Sequence, residues 1–219
     1  EAEARNAGFA MATGLFTSPI YGGKSWLGHA TTLTGVRIAD QMQFDVLLEA
    51  SAVSMSRLFT QAGYTGVLVA PAFERAFPGY FTLYPFARTH LASDFGYRGP
   101  KYAWSPMPDQ YALEVVGQRE LSAPKGPLFL EAMLTSTHTP WTPQPRYVED
   151  WGALGDGSLF RMQRAVDFGA DPSLDASRAA YVQSAEYDLE VLAGYLERHV
   201  TRRSRVILLG DHQPRADVT

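Results

Sequence analysis

The stretch Arg205-Val-Ile-Leu-Leu-Gly-Asp-His-Gln-Pro214 joins a short apolar run directly to a group of polar side chains. The apolar part, residues 205–209, predicts a buried strand of a parallel sheet. In open α/β sheets ligands bind beyond the carboxyl ends of strands, which is where Asp211 and His212 would then lie. A carboxylate beside an imidazole suits zinc, manganese or a similar divalent ion. The alternative is a polar turn in which Asp211 only caps backbone groups.

Apolar runs and amphipathic stretches alternate along the rest of the chain, which is typical of an α/β protein. Residues 67–70 and 128–134 predict two further parallel strands. Helices are predicted over residues 1–8, 26–33, 52–62, 109–121 and 177–199. Residues 71–108 and 139–172, with little periodicity, predict long loops over one end of the sheet. The pattern therefore predicts a single domain over residues 1–219, built as a three-layer α/β/α sandwich with a mainly parallel sheet.

The composition excludes several classes of function. The chain has 219 residues, of which 46% are hydrophobic and 19% charged, a normal balance for a globular domain. The formal net charge of -4 argues against non-specific nucleic-acid binding, which requires a surplus of Lys and Arg. The absence of cysteine excludes disulfides, thiolate zinc sites and a cysteine nucleophile.

A second polar segment, Ser18-Pro-Ile-Tyr-Gly-Gly-Lys-Ser25-Trp-Leu-Gly-His29, has two glycines that permit a sharp turn just before a predicted helix. Ser25 would stand at the first turn of that helix, where free amides and the helix dipole stabilise an anion or alkoxide. Ser25 is therefore a candidate nucleophile, with a simple N-cap as the alternative. Two known motifs are excluded here. A phosphate-binding loop needs glycine at the position of Ser18, and the nucleophile elbow of α/β-hydrolases needs glycine at the position of Leu27.

A third segment, Thr135-Ser-Thr-His138-Thr-Pro140, follows the strand predicted at 128–134. A single loop histidine is most often structural. His138, Ser25 and the pair at 211–212 nevertheless all lie where an α/β fold places ligands. We therefore expect Ser25, Asp211 and His212 to converge on one cleft.

The order of these segments resembles the sulfatase-like branch of the alkaline phosphatase superfamily, and more narrowly the lipoteichoic acid synthases and phosphoglycerol transferases. In that family the nucleophile opens a helix ending in Leu-Thr-Gly or Leu-Ser-Gly, matched here by Leu33-Thr-Gly35. The resemblance thus places the nucleophile on Ser25. It also matches a substrate-pocket His-x-Pro to His138-Thr-Pro140 and a metal-binding Gly-Asp-His to Gly210-Asp-His212.

The resemblance implies a metal-dependent phosphotransferase, or a phosphodiester or phosphomonoester hydrolase. Asp211, His212 and the Ser25 oxygen would bind a divalent ion, zinc or manganese first, with magnesium or calcium as alternatives. The substrate would be a phosphate-ester small molecule, a lipid head group or an envelope glycan. The family also implies an extracytoplasmic location, in the periplasm or on the outer face of the inner membrane, with a membrane anchor outside this chain.

The same resemblance implies roles for four further residues. Trp104 and Asp109 lie where transferases of this type recognise the head group of the substrate, Trp104 by packing and Asp109 by a hydrogen bond to a hydroxyl. The alternative for Asp109 is a cap of the following helix. Lys24 and His29 flank the serine and would contact the phosphate; the alternative for both is a solvated side chain.

Two departures from the family keep other functions open. The family's first metal carboxylate precedes the nucleophile, where only Glu1 and Glu3 are found, and a segment usually follows Gly-Asp-His. The resemblance therefore implies a catalytic core cut short at both ends. Sulfatases require Pro or Ala and then Arg where Leu27 and His29 stand, so Ser25 is expected to act as serine itself and to attack phosphorus. A sulfuric ester hydrolase is the enzyme alternative, and a non-catalytic binding module with a degenerate metal site is the other.

Overall fold

A three-stranded parallel sheet forms the centre of the protein in the computed structural model, which describes residues 5, 8–50, 52–75, 79–102, 104–141, 144–162, 174–201, 203–216 and 218. The strands are β1 (Thr65–Ala70), β2 (Arg88–Leu91) and β3 (Leu128–Ala132), in the order β2-β1-β3. In the register of β1, Val69 lies opposite His90 of β2 and Ala132 of β3.

Helices connect and cover these strands. They are α1 (Ser25–Thr34), α2 (Gln41–Glu49), α3 (Met55–Gln61), α4 (Tyr80–Leu83), α5 (Asp109–Val116) and α6 (Leu174–His199). A π-helical turn over Gly117–Leu121 continues α5, and 3₁₀ turns cover Ala92–Phe95, Trp151–Leu154 and Ser158–Arg161.

The side chains of β1 divide the apolar core into two clusters, because successive residues of a strand point to opposite faces. Val67 and Val69 pack against residues of α5 and α6 on one face. Leu68 and Ala70 pack against residues of α1, α2 and α4 on the other. Helices therefore cover both faces of an all-parallel sheet, which confirms the predicted three-layer α/β/α sandwich.

Most of the predicted elements are present with small changes of boundary. The runs at 67–70 and 128–134 form β1 and β3, and the helices predicted from residues 26, 52, 109 and 177 correspond to α1, α3, α5 and α6. Three of these helices and strands were missed: α2, and both α4 and β2, which lie inside the predicted loop 71–108.

The prediction of a buried strand at 205–209 is wrong. The segment is exposed along its length, with Ile207 74% exposed, and it pairs with no strand in the part of the chain that the structure describes. Apolar composition is not enough to form a strand, because its backbone also needs a hydrogen-bonded neighbour. In this structure the sheet ends at β3, and the segment does not dock against that edge.

Two predictions fall wholly or partly outside the described residues. These are most of the helix predicted at residues 1–8, and positions 142–143 and 163–172 of the loop predicted at 139–172. None of the described helices is both long and apolar enough to span a bilayer.

Glu131 places a carboxyl group inside the second apolar cluster. It lies opposite Leu68 in the register of β3, between Phe129 and Met133, which pack on that cluster. Its Oε2 is buried and has no hydrogen-bond partner among the described residues, and the hydroxyls of Tyr80 and Tyr84 share that state. Burial without compensation favours the neutral acid, and it raises the pKa of Glu131 from 4.5 to about 7.

This buried carboxyl makes stability depend on pH. Between pH 4.5 and 7 the folded protein retains a proton that the unfolded chain has released, so stability falls as the pH rises through this window. Glu131→Gln stays neutral throughout. We therefore expect the variant to exceed the wild type in free energy of unfolding at pH 8, by up to roughly 3 kcal/mol, and by less at pH 4.5. Urea titrations at both pH values measure this difference.

Glu186→Gln provides the matched control, because Glu186 is exposed on α6. It should leave the pH profile of stability close to that of the wild type. An equal profile for Glu131→Gln and the wild type would contradict the expectation.

Candidate active site

The start of α1 is shaped by three consecutive residues with positive φ. Gly22 and Gly23 have φ of 66° and 148°, and Lys24 has φ of 61° and ψ of 43°, which is left-handed backbone in a residue other than glycine. Lys24 is the N-cap and makes no side-chain capping hydrogen bond. Ser25 is therefore the first residue of the helix, and the alternative that it is merely the N-cap is wrong.

The segment after the exposed run returns to this helix start. The backbone N–H of Gly22 donates to the carbonyl oxygen of Gln213 at 3.1 Å, and Tyr21 and Gln213 form an isolated parallel bridge. Farther along α1, a Cβ placed on Gly28 would lie only 2.8 Å from the backbone oxygen of Asp211. The absence of a side chain at Gly28 thus allows the segment 211–213 to lie against α1.

This contact brings Ser25 and His212 together. Ser25 Oγ lies 3.2 Å from His212 Nε2. The other ring nitrogen, Nδ1, lies 2.8 Å from the carbonyl oxygen of Gln213, and because a carbonyl only accepts, Nδ1 carries the hydrogen. In the neutral ring Nε2 is then a lone-pair acceptor, so the Ser25 hydroxyl donates to it.

Asp211 and His29 complete the group. Asp211 Oδ1 accepts the backbone N–H of His212 at 3.0 Å, while Oδ2 lies 3.5 Å from His212 Nε2 and 3.9 Å from His29 Nε2. Burial lowers the pKa of His29, the charge of Asp211 opposes that change, and His212 adds to it. The predicted convergence of Ser25, Asp211 and His212 is confirmed by these distances, and His29 joins them from the next turn of α1.

The donor atoms of this group fit part of a site for a divalent ion. Atoms that bind one tetrahedral ion at about 2.0 Å lie about 3.3 Å from one another. The separations of Ser25 Oγ and Asp211 Oδ2 from His212 Nε2, 3.2 Å and 3.5 Å, are close to that spacing. In the described ranges, however, no three side chains among His, Cys, Asp and Glu are arranged to hold a metal. In the part of the chain that the structure describes, this group therefore offers two candidate ligands, Asp211 and His212, and the Ser25 hydroxyl.

Trp104 and His138 form a second pair. Their rings stack with centroids 3.8 Å apart and planes 16° apart, and both side chains are exposed. His138 Nδ1 donates to the carbonyl oxygen of Thr139 at 2.5 Å, which leaves Nε2 on the open side of the neutral ring. No hydrogen bond or ring contact joins this pair to Ser25 or His212 within the described residues.

Asp109 faces the interior of the protein. It is 0% exposed, and its carboxylate accepts hydrogen bonds from the backbone of Thr135 and Ser136 and from the Thr135 hydroxyl. With both oxygens occupied by the protein, it cannot bind a hydroxyl of a ligand. The prediction of direct contact with the substrate is therefore corrected, and the N-cap of α5 is Pro108 rather than Asp109.

Three contributions to this geometry were not predicted from the sequence, which assigned to Gly22 only a place in a sharp turn. Gly22 and Gln213 make the backbone contacts that hold the segment 211–213, and Gly28 provides the space for it. A glycine three residues into a helix is an unfavourable choice for helix stability, and this is the signal that indicated a close backbone approach. The roles of Gly22 and Gln213 lie in backbone groups, which every residue has.

Comparison with known proteins places the fold. Neither a family model nor a curated protein sequence matches the chain. The crystal structure of the lipoteichoic acid synthase LtaP from Listeria monocytogenes is similar to this chain, with a TM-score of 0.52 and 11% sequence identity. The match covers 83% of this chain but 42% of the LtaP chain, so this chain spans less than half the length of that protein. At this identity the similarity concerns the fold.

The contact between Gly28 and Asp211 generates a prediction with a definite sign. In an exposed helix, Gly→Ala stabilises by about 1 kcal/mol. Here the new Cβ would meet a backbone oxygen at 2.8 Å, which has to move. We expect Gly28→Ala to lower the melting temperature, which thermal unfolding measures, and to separate Ser25 from His212. NMR tests the separation: Ser25→Ala should shift the His212 ring signals in the wild-type background but not in the Gly28→Ala background.

Gly126→Ala is the control, since a Cβ at Gly126 meets nothing within 4 Å. It should leave both measurements unchanged. A Gly28→Ala variant more stable than the wild type would show that Asp211 is not held against α1.

Proposed function

We propose that this chain carries the catalytic core of a metal-dependent phosphotransferase or phosphodiester or phosphomonoester hydrolase with Ser25 as the nucleophile. The observation that carries this proposal is the 3.2 Å contact of Ser25 Oγ with His212 Nε2 at a helix start, with Asp211 Oδ2 beside it. The fold similarity to LtaP supports it, since that protein is a lipoteichoic acid synthase.

Ser25 is positioned to attack phosphorus. Its oxygen would form the new bond to phosphorus while the bond to the leaving alkoxide breaks; the hydroxyl proton would pass to solvent, and the alkoxide would take up a proton from it. Water or an acceptor hydroxyl would then displace Ser25 in a second step, losing its own proton and returning one to the Ser25 oxygen. The start of α1 directs backbone N–H groups and the positive end of its dipole toward the phosphate. Positioning and charge stabilisation of this kind account for most of the catalysis in phosphoryl transfer.

Asp211 and His212 would hold the divalent ion, zinc or manganese first. A bound ion would offset the phosphate charge and lower the pKa of the Ser25 hydroxyl. Because Nε2 has a single lone pair, His212 cannot bind an ion and accept the Ser25 hydrogen at the same time. If His212 held the ion, the Ser25 hydrogen would lose this acceptor, and the lowered pKa of the hydroxyl would be what favours its loss to solvent.

The remaining candidates would contact the substrate. Lys24, exposed at the start of α1, and His29, one turn farther along it, would contact the phosphate, and the Trp104–His138 stack would pack on the head group. Such a substrate fits an envelope glycan or lipid-derived donor outside the cytoplasm.

A non-catalytic binding module is the second candidate function, favoured by the small number of metal ligands in the described residues.

Removal of the nucleophile tests the reaction. At millimolar Mn²⁺ the chain should hydrolyse bis(p-nitrophenyl) phosphate, and Ser25→Ala should lower the rate by at least about 100-fold, because no other group replaces its oxygen. Release of nitrophenol measures the rate. Ser122→Ala, which alters an exposed serine after α5, is the matched control and should retain the wild-type rate.

Two results would contradict the proposal. Wild-type rates in Ser25→Ala would show that the serine is not the nucleophile. Cleavage of nitrophenyl sulfate without cleavage of phosphate esters would favour the sulfatase alternative instead.

The number of ligands predicts weak metal binding. A divalent site normally has at least three protein ligands, and the described residues provide Asp211, His212 and a serine hydroxyl that is a poor ligand until it is deprotonated. We expect zinc and manganese to bind with a Kd weaker than about 10 μM, or a binding free energy smaller than about 7 kcal/mol. Calorimetric titration measures it, and Asp211→Ala should remove what binding there is.

Tight one-to-one binding would contradict this expectation and would reveal a third ligand. His29, whose Nε2 lies 3.9 Å from Asp211 Oδ2, is then the residue to substitute first. Glu186→Gln is the control for the loss of a carboxylate elsewhere.

A further inference from the structure

Trp26 is a large aromatic side chain outside the apolar core, one residue after the candidate nucleophile. It is 43% exposed, and it belongs to neither of the two apolar clusters formed by the described residues. Trp151, by contrast, is 1% exposed and lies within one of these clusters. Hydrophobic burial, the usual role of a tryptophan in a small domain, therefore does not explain Trp26.

The indole ring of Trp26 is nevertheless tethered to α2. Its Nε1–H donates to Oε1 of Gln41, the first residue of α2, at 3.0 Å. The Nε2 group of the same amide donates to Oδ1 of Asp45, one turn farther along α2, at 2.7 Å. These two bonds fix which end of the Gln41 amide faces the indole. A tethered, exposed ring offers a flat apolar face to a ligand with little further loss of entropy.

Trp26 lies on one flank of the nucleophile. Residues of a helix are spaced by about 100°, so Ser25 and His29 share a face of α1 and Trp26 lies on the neighbouring one. The face of Ser25 is covered by Asp211 and His212. The face of Trp26 is open to solvent beyond its hydrogen bond to α2. A phosphate bound over Ser25 would therefore have Asp211 and His212 on one flank and the indole on another.

The geometry of phosphoryl transfer decides which part of a substrate reaches that ring. The attacking Ser25 oxygen and the leaving oxygen lie roughly in line on opposite sides of phosphorus, and the other three oxygens lie around the equator. In a diester, one equatorial oxygen carries the ester group that stays on phosphorus. In a monoester, all three are unsubstituted and share the negative charge. The retained ester group is thus directed sideways, toward the flanks of Ser25, while the leaving group points away from it.

We propose that Trp26 is a specificity-determining residue that packs against the retained ester group and so favours phosphate diesters over monoesters, with Gln41 as the residue that positions its ring. This inference rests on the proposed phosphate-ester reaction and narrows it to diesters whose retained group is flat or apolar. The face of an aromatic ring is electron-rich, so it repels an unsubstituted phosphoryl oxygen and packs well on an apolar ester group.

Two substrates with the same leaving group test this preference at millimolar Mn²⁺. Bis(p-nitrophenyl) phosphate has a retained aryl ester, and p-nitrophenyl phosphate has none. The wild type should have the higher kcat/KM for the diester. Trp26→Ala should lower kcat/KM for the diester about tenfold, as expected for the loss of one stacking contact, and leave that for the monoester within about twofold. The monoester is an internal control, because damage to the fold would lower both rates.

Three further variants separate the ring from its orientation. Trp26→Phe keeps an aromatic face and should retain the diester rate within about threefold. Gln41→Ala removes the acceptor of the indole N–H, so we expect a loss of about threefold for the diester and none for the monoester. Met42→Ala alters an exposed residue beside Gln41; it is the matched control and should leave both rates at their wild-type values.

NMR titration tests the contact without turnover. In the Ser25→Ala variant, with Zn²⁺ in place of the paramagnetic Mn²⁺, diphenyl phosphate should shift the indole Nε1–H signal of Trp26. Phenyl phosphate at the same concentration should shift it less than about a third as far. The Trp26→Phe variant, which lacks this N–H, assigns the signal.

The proposal is overturned by equal losses for the two esters in Trp26→Ala, by a wild type that prefers the monoester, or by an indole signal that diphenyl phosphate leaves unmoved. If Trp26→Ala does not fold, Gln41→Ala decides: a loss confined to the diester supports the proposal, and unchanged or parallel rates overturn it. If the wild type cleaves neither ester, the reaction proposed for the chain fails, while the indole shifts still judge the contact of Trp26 with a diester.

Discussion

The candidate site depends on the close contact between the backbone oxygen of Asp211 and α1 at Gly28. A Cβ on residue 28 would lie only 2.8 Å from that oxygen, so a side chain there would push the segment away. No β-sheet pairing holds the exposed run before Asp211 within the described residues, so its position is set by contacts with α1 and the turn before it. Those are the Gly28 contact, the Gly22–Gln213 hydrogen bond and the bridge from Tyr21. Together they bring His212 to Ser25 across 187 residues of sequence.

Local sequence patterns predict most helices and strands of this fold. They fail where a strand depends on a pairing partner that is distant in the sequence. Apolar runs predicted β1 and β3 because both find a pairing partner in the sheet, β1 on both sides and β3 on one. The run at 205–209 has the same composition and forms no strand, because composition does not provide a pairing partner. β2 has pairing partners but was missed because its polar residues Arg88 and His90 break the apolar pattern of a buried strand. Both side chains pair with Glu120 of the π-helical turn, at 2.6 Å and 2.7 Å, and this pairing is not visible in the sequence.

In the candidate site, too, contacts between residues close in the sequence were more predictable than contacts between distant residues. Ser25 and His29 are one helical turn apart, so their common face was predictable from spacing alone. The position of Asp211 and His212 next to them was inferred from their place after an apolar run, although that run is not a strand. The role of Asp109 was not predictable, because its partners are backbone amides of residues 135 and 136, and backbone amides carry no sequence signal.

The Ser25–His212 group and the Trp104–His138 pair are supported by different clusters of the apolar core. α1, which carries Ser25, packs in the cluster with Leu68 and Ala70. α5, whose Asp109 accepts the Thr135 and Ser136 N–H groups close to His138, packs in the cluster with Val67 and Val69. β1 is the element that contributes fully buried residues to both clusters. Because its alternate side chains face opposite helical layers, a shift of β1 along the sheet would move Ser25 and the Trp104–His138 pair relative to each other. The register of β1 in the sheet therefore bears on the distance between these two groups, although β1 itself contributes no side chain to either.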